Sequence, residues 1–138
     1  MTATLPDDAR EIFQGKNFAH VVSLMRDGSP QASAVWCEAV GNDIVINCDE
    51  STIKARNFRR DPRVAVSIVD QEKPYEAVFV RGRVTEIRPD PEGKHIDKLA
   101  KKYLGLDEYP FHRPDEQRLV VVISPDSVGS LHSPLTNR

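Results

Sequence analysis

Short stretches of alternating apolar and polar residues dominate this chain and predict a mainly β structure. Near the middle of the first half, Ile44 and Ile46 share one side of a strand, while Val45 and Asn47 share the other. The strands predicted in this way are Phe18–Met25, Gln31–Ala39, Asp43–Cys48, Arg63–Val69, Ala77–Ile87 and Arg118–Ser124, with Ser127–Leu131 as an extension of the sheet after Pro125.

Tight turns join the first three of these strands. Asp27-Gly28 and Gly41-Asn42 are pairs that tolerate positive φ, which is typical of two-residue hairpins. We therefore predict a three-strand meander. Gly82 interrupts the long fifth strand, where we expect a bend or a bulge.

Three segments carry helical signals. Asp7–Gln14 begins with acidic residues, which suit the positive start of a helix. Thr52–Arg60 is followed by a proline, and a longer helix begins at Asp90 and runs to Leu104, with Gly105 as its stop. The chain is therefore predicted to be α+β, a barrel of six to seven antiparallel strands with two to three helices.

Composition narrows the classes of function. The 138 residues suit one domain, and the net charge of −2 argues against a general nucleic-acid binder. The sequence shows neither a signal peptide nor an apolar run that could span a membrane. Cys37 and Cys48 lack metal-binding spacing. We expect a cytoplasmic protein with reduced thiols, no metal site, no nucleic-acid partner and no membrane contact.

The most informative chemistry lies in a basic segment. The chain is slightly acidic overall, yet this segment gathers a lysine and four arginines with a hydroxyl and an amide beside them. These residues are Thr52, Lys54, Arg56, Asn57, Arg59, Arg60 and Arg63. Such groups suit a phosphate, as does the start of a helix. A solvated basic helix face is the alternative, because helical side chains diverge and cannot all meet one ligand.

Three motifs carry a resemblance to a known family. In chain order they are Asp27-Gly28-Ser29-Pro30-Gln31 followed by Val35-Trp36, then Thr52-x-Lys54-x-Arg56-Asn57-Phe58-Arg59-Arg60-Asp61-Pro62-Arg63-Val64, and then Pro74-Tyr75 leading into Val80-Arg81-Gly82-Arg83-Val84. With these motifs the sequence resembles the pyridoxamine 5′-phosphate oxidase-like superfamily. The likeness is greatest to its small enzymes that use the deazaflavin coenzyme F420, and it covers roughly Phe18 to Ile87.

The resemblance implies a split β-barrel homodimer with two cofactor sites at the subunit interface. It implies hydride transfer between coenzyme F420 and a small conjugated organic substrate. It places Gln31, Ala32, Ser33, Ala34, Val35 and Trp36 beside the cofactor ring, Asn47 and Cys48 in the pocket, Thr52, Lys54, Asn57, Arg59 and Arg60 near the phosphate, and Tyr75 and Val78 in the partner's site.

The residues leave several functions open. FMN also carries a phosphate, so an FMN enzyme of the same barrel is the alternative, as is a carrier of F420 or flavin without turnover. The chain lacks the C-terminal Arg-x-His-type motif of the oxidase proper and reads Leu131-His132-Ser133-Pro134-Leu135 there, which favours the reductase branch. No catalytic residue is identified, and the candidate proton donors are Tyr75, His112 or a water.

Overall fold

The computed structural model describes residues 2–131, which contain seven strands and three helices. In chain order they are α1 (Asp7–Gln14), β1 (Ala19–Leu24), β2 (Pro30–Val35), β3 (Cys37–Val40), β4 (Asp43–Asp49), α2 (Ile53–Arg60), β5 (Arg63–Val69), β6 (Ala77–Pro89), α3 (Lys94–Leu104) and β7 (Arg118–Leu131). All paired strands are antiparallel, so the predicted α+β split barrel is confirmed. The segment His132–Leu135 lies outside the described residues.

The consecutive strands β2 and β3 form the two opposite edges of the sheet. The strand order is β2-β1-β5-β6-β7-β4-β3. Both predicted hairpins are present, since β1 pairs with β2 and β3 pairs with β4. The single middle strand predicted for Gln31–Ala39 is wrong, because it breaks at Trp36 into two strands at opposite edges of the sheet. The break is held from α3, because the Tyr103 hydroxyl accepts the Cys37 N–H at 3.1 Å and Lys102 Nζ donates to the Cys37 carbonyl at 2.5 Å. The two edges of the sheet therefore come together at Trp36, as in a split barrel.

The helix bounds agree with the sequence except at the start of α3. This helix begins at Lys94 rather than Asp90, because Gly93 adopts a left-handed conformation with φ of 69° just before it. Asp90 still caps the helix, since its carboxylate accepts the N–H groups of His95 at 3.2 Å and Ile96 at 3.1 Å. None of the helices within residues 2–131 is both long and apolar enough to cross a membrane.

The two longest strands, β6 and β7, contain the predicted bulge. Their register shifts between Arg81 and Gly82. A Cβ atom on residue 82 would lie 2.3 Å from the Ser124 carbonyl oxygen, so only glycine fits this close approach. Because β7 continues through Pro125 to Leu131, the predicted extension is part of one long strand.

The main core forms where inward-facing strand residues meet the N-terminal segment and the first two helices. Leu5 and Phe13 pack there with Ile46 and Phe58, all at most 3% exposed. Both cysteines are buried with free thiols. This core fixes the ends of β2 and β4 and the start of α2, which together surround the candidate site.

Candidate functional site

A pocket of about 350 Å³ lies beside Trp36, within the size range of sites for small organic ligands. It is formed by the ends of β2 and β4, the start of α2, α3, the loop after α3 and the start of β7. We call it the aromatic–basic pocket, and its lining residues are Phe18, Ala34, Val35, Trp36, Asn47, Cys48, Asp49, Thr52, Lys54, Ile96, Tyr109, Phe111, Arg113 and Arg118.

Aromatic rings form one wall of this pocket. Trp36 stacks on Tyr103 with a centroid distance of 5.2 Å and an interplanar angle of 7°, and Phe18 stacks on Tyr103 at 5.7 Å. Tyr109 meets Trp36 edge-on at 5.8 Å and Phe111 edge-on at 5.5 Å. Such a wall offers flat apolar surface to a planar ring.

Hydrogen bonds behind the wall hold Trp36 in place. The Tyr103 hydroxyl accepts the Cys37 N–H and donates to the Asn17 carbonyl at 2.6 Å. Burial raises the pKa of Tyr103 and lowers the pKa of Lys102. The Tyr103 phenol is therefore a neutral donor and acceptor, and the backbone on the C-terminal side of Trp36 is fixed by side chains from α3.

Two cationic side chains also line the pocket. Lys54 is half-buried and has no hydrogen bond or ion pair within residues 2–131. Arg118 is held from three sides: its Nε donates to Asn47 Oδ1 at 2.8 Å, its Nη1 lies 3.7 Å from the Glu116 carboxylate, and its guanidinium lies 5.1 Å from the Tyr109 ring centroid. The pocket thus presents two cationic groups to a ligand.

Asp49 is the carboxylate that lines the pocket, and its charge is engaged by the protein. Its oxygens accept the Gln117 N–H at 2.7 Å, the Ser51 N–H at 3.3 Å and the Ser51 hydroxyl. Burial opposes ionisation of Asp49, but these hydrogen bonds outweigh it and lower its pKa. Arg113 lies 3.4 Å away. Lys54 and Arg118 therefore remain as the cations available to an anion.

Cys48 lines the same pocket as these two cations. Burial raises the pKa of the Cys48 thiol, and the charges of Lys54 and Arg118, with a hydrogen bond to Thr52, offset the rise only in part. Cys48 is therefore a neutral, packed thiol rather than a nucleophile. Lys54 and Arg118 are therefore both close enough to the Cys48 thiol to lower its pKa.

The structure brings together seven of the residues that the sequence singled out. They are Ala34, Val35, Trp36, Asn47, Cys48, Thr52 and Lys54. The Thr52 hydroxyl caps α2 and already donates to the Asp49 carbonyl at 2.8 Å, so it would have to exchange this bond to meet a phosphate. The role of each of these residues in cofactor binding stays a prediction.

Three residues of β2 lie beside the pocket but do not line it. Ala32 is exposed, while Gln31 and Ser33 are partly buried. Gln31 Oε1 and Ser33 Oγ are buried atoms with no hydrogen-bond partner among the described residues. Buried polar atoms are normally paired, so this edge strand leaves acceptor and donor capacity unused.

Much of the basic segment is engaged in the protein's own contacts. Arg59 pairs with Glu50 at 2.7 Å. Arg60 donates to the Leu24 carbonyl and to Asn57 Oδ1, both at 2.7 Å. Asn57, Arg59 and Arg60 therefore stabilise α2 and its neighbours and do not line the pocket, and their predicted phosphate contacts remain untested.

The remaining predicted residues lie away from the pocket. Tyr75 is 69% exposed in the β5–β6 loop, and Val78 is 1% exposed in the core of its own chain. Their predicted contribution to a partner's site stays a prediction. His112 is hydrogen-bonded to Glu116, which raises the pKa of the imidazole, and it lies 3.5 Å from Asp97 rather than in the pocket.

Sequence reasoning missed several lining residues of the pocket, most of which lie between positions 96 and 118. Phe18, Ile96, Tyr109, Phe111, Arg113 and Arg118 were not predicted to lie there. One signal was present: Tyr109, Phe111 and Arg113 alternate within a loop that has no hydrophobic core pattern. Aromatic and basic residues exposed in such a loop are typical of ligand contacts.

A larger cleft of about 860 Å³ lies between α1 and the β5–β6 loop. It is lined by the carboxylates of Asp8, Glu11, Asp70, Glu72 and Glu76, with the ammonium groups of Lys16 and Lys73. This excess of negative charge does not suit a phosphorylated ligand. The smaller aromatic–basic pocket therefore fits the expected cofactor better.

The fold and the pocket together define a small split β-barrel protein with an aromatic–basic pocket beside the strand break at Trp36. The family model for pyridoxamine 5′-phosphate oxidase matches residues 5–132, and the chain belongs to this family. No curated protein matches the sequence.

Solved structures extend this result. An F420 reductase is 28% identical with a TM-score of 0.80, and the match covers 90% of this chain and 98% of that one. A conserved hypothetical protein from Mycobacterium tuberculosis is 19% identical with a TM-score of 0.75, covering 99% and 90%. General stress protein 26 from Bacillus anthracis is 18% identical with a TM-score of 0.64, covering 88% of each chain. The last two show the fold alone.

Proposed function

We propose that this protein is an oxidoreductase that transfers a hydride between coenzyme F420 and a small conjugated organic substrate. The observation that carries the proposal is the aromatic–basic pocket, which Lys54, unpaired within residues 2–131, lines together with the stacked ring of Trp36. A solved F420 reductase shares the fold at 28% identity, which supports this cofactor.

The cationic side of the pocket fits a phosphate. Lys54 has no partner within residues 2–131, so a ligand anion would not have to displace a protein group. The first N–H groups of α2 have no partners within the helix, and they add partial positive charge at the same place. Arg118 supplies a second cation, and the Asp49 carboxylate is engaged by Ser51 and Gln117.

The other side of the pocket fits a planar ring with polar edges. Within residues 2–131, β2 pairs only with β1, so its second edge carries backbone N–H and C=O groups that no described strand pairs. On the same strand, Gln31 Oε1 and Ser33 Oγ have no hydrogen-bond partner among residues 2–131. A flavin-type ring lying between this edge and Trp36 would form hydrogen bonds with the edge of β2 and stack on the Trp36 ring.

When bound, a deazaflavin donates or accepts a hydride, and the protein binds and orients it. Lys54 would hold the phosphate and Trp36 would limit the tilt of the ring. The aromatic rings would exclude water from one face. No acid or base of the chain is required for the hydride itself, and we assign none.

FMN is the second candidate. Lys54 and the start of α2 would meet a phosphate, a group that both cofactors carry, so these contacts do not discriminate between them. Binding without turnover is the further alternative, and it predicts tight association with no reduction of an acceptor.

We also propose that a second copy of the chain covers the outer face of the sheet, as the family resemblance implies. Small and apolar side chains lie side by side on this face, among them Val22, Ala65 and Ser67. Phe79 projects from it with 47% of its surface exposed. Light scattering at micromolar concentration tests this point, because a monomeric mass would contradict it.

The decisive experiment is a fluorescence titration with coenzyme F420 and, separately, with FMN, using a matched pair of variants. Lys54→Ala removes the unpaired ammonium from the pocket. Arg56→Ala removes an exposed cation from the same helix that does not line the pocket. We expect roughly tenfold or greater loss of affinity for the first variant and less than about twofold for the second.

Each outcome has a defined meaning. Tighter binding of F420, together with oxidation of the reduced coenzyme by a quinone, supports the proposal. Tight binding of FMN alone supports the second candidate. Binding of neither cofactor, or equal losses in the two variants, contradicts the proposed site.

A further inference from the structure

A chain of buried polar groups runs from β3 to the aromatic–basic pocket. Glu38 Oε2 lies 2.8 Å from His95 Nε2, and His95 Nδ1 lies 3.0 Å from Asn47 Nδ2. Asn47 Oδ1 accepts the Nε–H of Arg118 at 2.8 Å. The side chains of Glu38, His95 and Arg118 are only 8%, 12% and 12% exposed. The strands β3, β4 and β7 and the helix α3 thus contribute one side chain each.

The partners at both ends fix the direction of every hydrogen bond. Arg118 can only donate, so the atom of Asn47 that faces it must be the amide oxygen. Asn47 Nδ2 then donates to Asp90 Oδ2 at 3.1 Å and faces His95 Nδ1, which must accept. The geometry thus assigns the acceptor role to His95 Nδ1 and leaves Nε2 to donate to Glu38.

Glu38 is also held as an acceptor by Lys98. Lys98 Nζ lies 2.8 Å from its other oxygen. Burial opposes ionisation of Glu38, but hydrogen bonds from His95 and Lys98 outweigh it and lower its pKa to about 2. The Glu38 carboxylate therefore accepts hydrogen bonds from both His95 Nε2 and Lys98 Nζ.

Arg118 has hydrogen-bonding capacity left over. Within residues 2–131 its side chain makes one hydrogen bond, from Nε to Asn47, and its contact with Glu116 at 3.7 Å is longer than a hydrogen bond. The ring of Tyr109 holds the guanidinium from one face. A nearly buried arginine that lines a pocket with most of its donors unused is suited to a ligand anion.

We propose that Glu38, His95 and Asn47 are positioning residues for Arg118, and that Arg118 binds a phosphate or carboxylate of the pocket ligand as a second cationic contact beside Lys54. This inference rests on the proposed function in that it takes the pocket ligand to be anionic. The chain immobilises the guanidinium before the ligand arrives, which lowers the entropy cost of binding.

The test is a double-mutant cycle on ligand affinity. Arg118→Gln removes the cation, and His95→Phe removes both ring nitrogens while leaving Asn47 and Arg118 in place. We expect about tenfold weaker binding of F420 or FMN for Arg118→Gln, several-fold weaker binding for His95→Phe, and little further loss in the double variant. Lys101 lies on the same helix as His95 but is not part of this series of hydrogen bonds, so the Lys101→Ala variant should bind the ligand like the wild type.

Additive losses in the double variant would overturn the positioning role, because the two residues would then act separately. Wild-type affinity in Arg118→Gln would overturn the anion contact. Circular dichroism of each variant checks that the fold is retained. If His95→Phe does not fold, His95→Leu takes its place, since a leucine also removes the acceptor for Asn47 and has a smaller side chain.

A second measurement needs no organic cofactor and separates this inference from the proposed function. In nitrogen-15 NMR spectra of the wild type we expect the neutral Nε2–H tautomer of His95 and a slowly exchanging Nε–H of Arg118. Inorganic phosphate should shift the Arg118 resonance, and Asn47→Ala should abolish the slow exchange. The Nδ1–H tautomer, or no response to phosphate, would overturn the inference even where a cofactor binds elsewhere.

Discussion

Removing one hydroxyl from behind the pocket should cost the protein a measurable part of its stability. In Tyr103→Phe the ring remains stacked on Trp36, but the Cys37 N–H loses its acceptor and the Asn17 carbonyl loses its donor. Cys37 is fully buried, so water cannot replace the lost partner.

The expected magnitude follows from the unpaired amide. Leaving a buried donor without a partner costs roughly 1–3 kcal/mol, so we expect a loss of about 2 kcal/mol in the free energy of unfolding. This corresponds to a fall of about 1 M in the urea midpoint, with the slope unchanged. Trp36 is the only tryptophan of the chain, and its fluorescence reports the transition.

The control is Tyr75→Phe, which removes the same hydroxyl from a side chain that is 69% exposed. We expect this variant to unfold within about 0.5 kcal/mol of the wild type. If Tyr103→Phe were as stable as the control, the support that we assign to Tyr103 at the strand break would be refuted.

Two further predictions concern other parts of the fold. Gly82→Ala should destabilise the protein by roughly 3 kcal/mol in urea unfolding because its Cβ would meet the Ser124 carbonyl at 2.3 Å, whereas Gly129→Ala, with open space around it, should be near neutral. The pKa of Glu38 falls from 4.5 to about 2 on folding, so its stabilisation is present above pH 4.5 and is lost toward pH 2. Discounted for solvent screening, this is on the order of 1–2 kcal/mol, and Glu38→Gln should remove that part of the acid dependence in pH-dependent unfolding.

Local signals in the sequence predicted most of the elements. The acidic start of Asp7–Gln14, the alternation in Arg63–Val69 and the glycine at 82 each act through neighbouring residues, and the structure agrees at all three places. Lys54 and Thr52 were found in the same way, because a helix cap and a cluster of charge are visible in a short window of sequence.

The rest depends on contacts between distant residues. The break at Trp36 is held by Tyr103, which lies more than sixty positions later, and no property of residues 31–39 reveals that partner. Arg118 begins a strand that resembles any other in sequence. Its place in the pocket follows from the pairing of β7 with β4, which only the three-dimensional fold defines.

The position of β7 in the sheet has a consequence for folding. β7 pairs with β6 on one side and with β4 on the other, and it follows both of them in the chain. On a ribosome, the β2-β1-β5-β6 sheet and the β4-β3 hairpin would emerge as two separate pieces with unpaired edges. The final strand joins them, so the pocket can assemble only after Arg118 and the residues that follow it have left the exit tunnel. Because these pairings link residues far apart in sequence, folding should be slow for a chain of this length, and the exposed edges make the nascent chain prone to aggregation until β7 is in place.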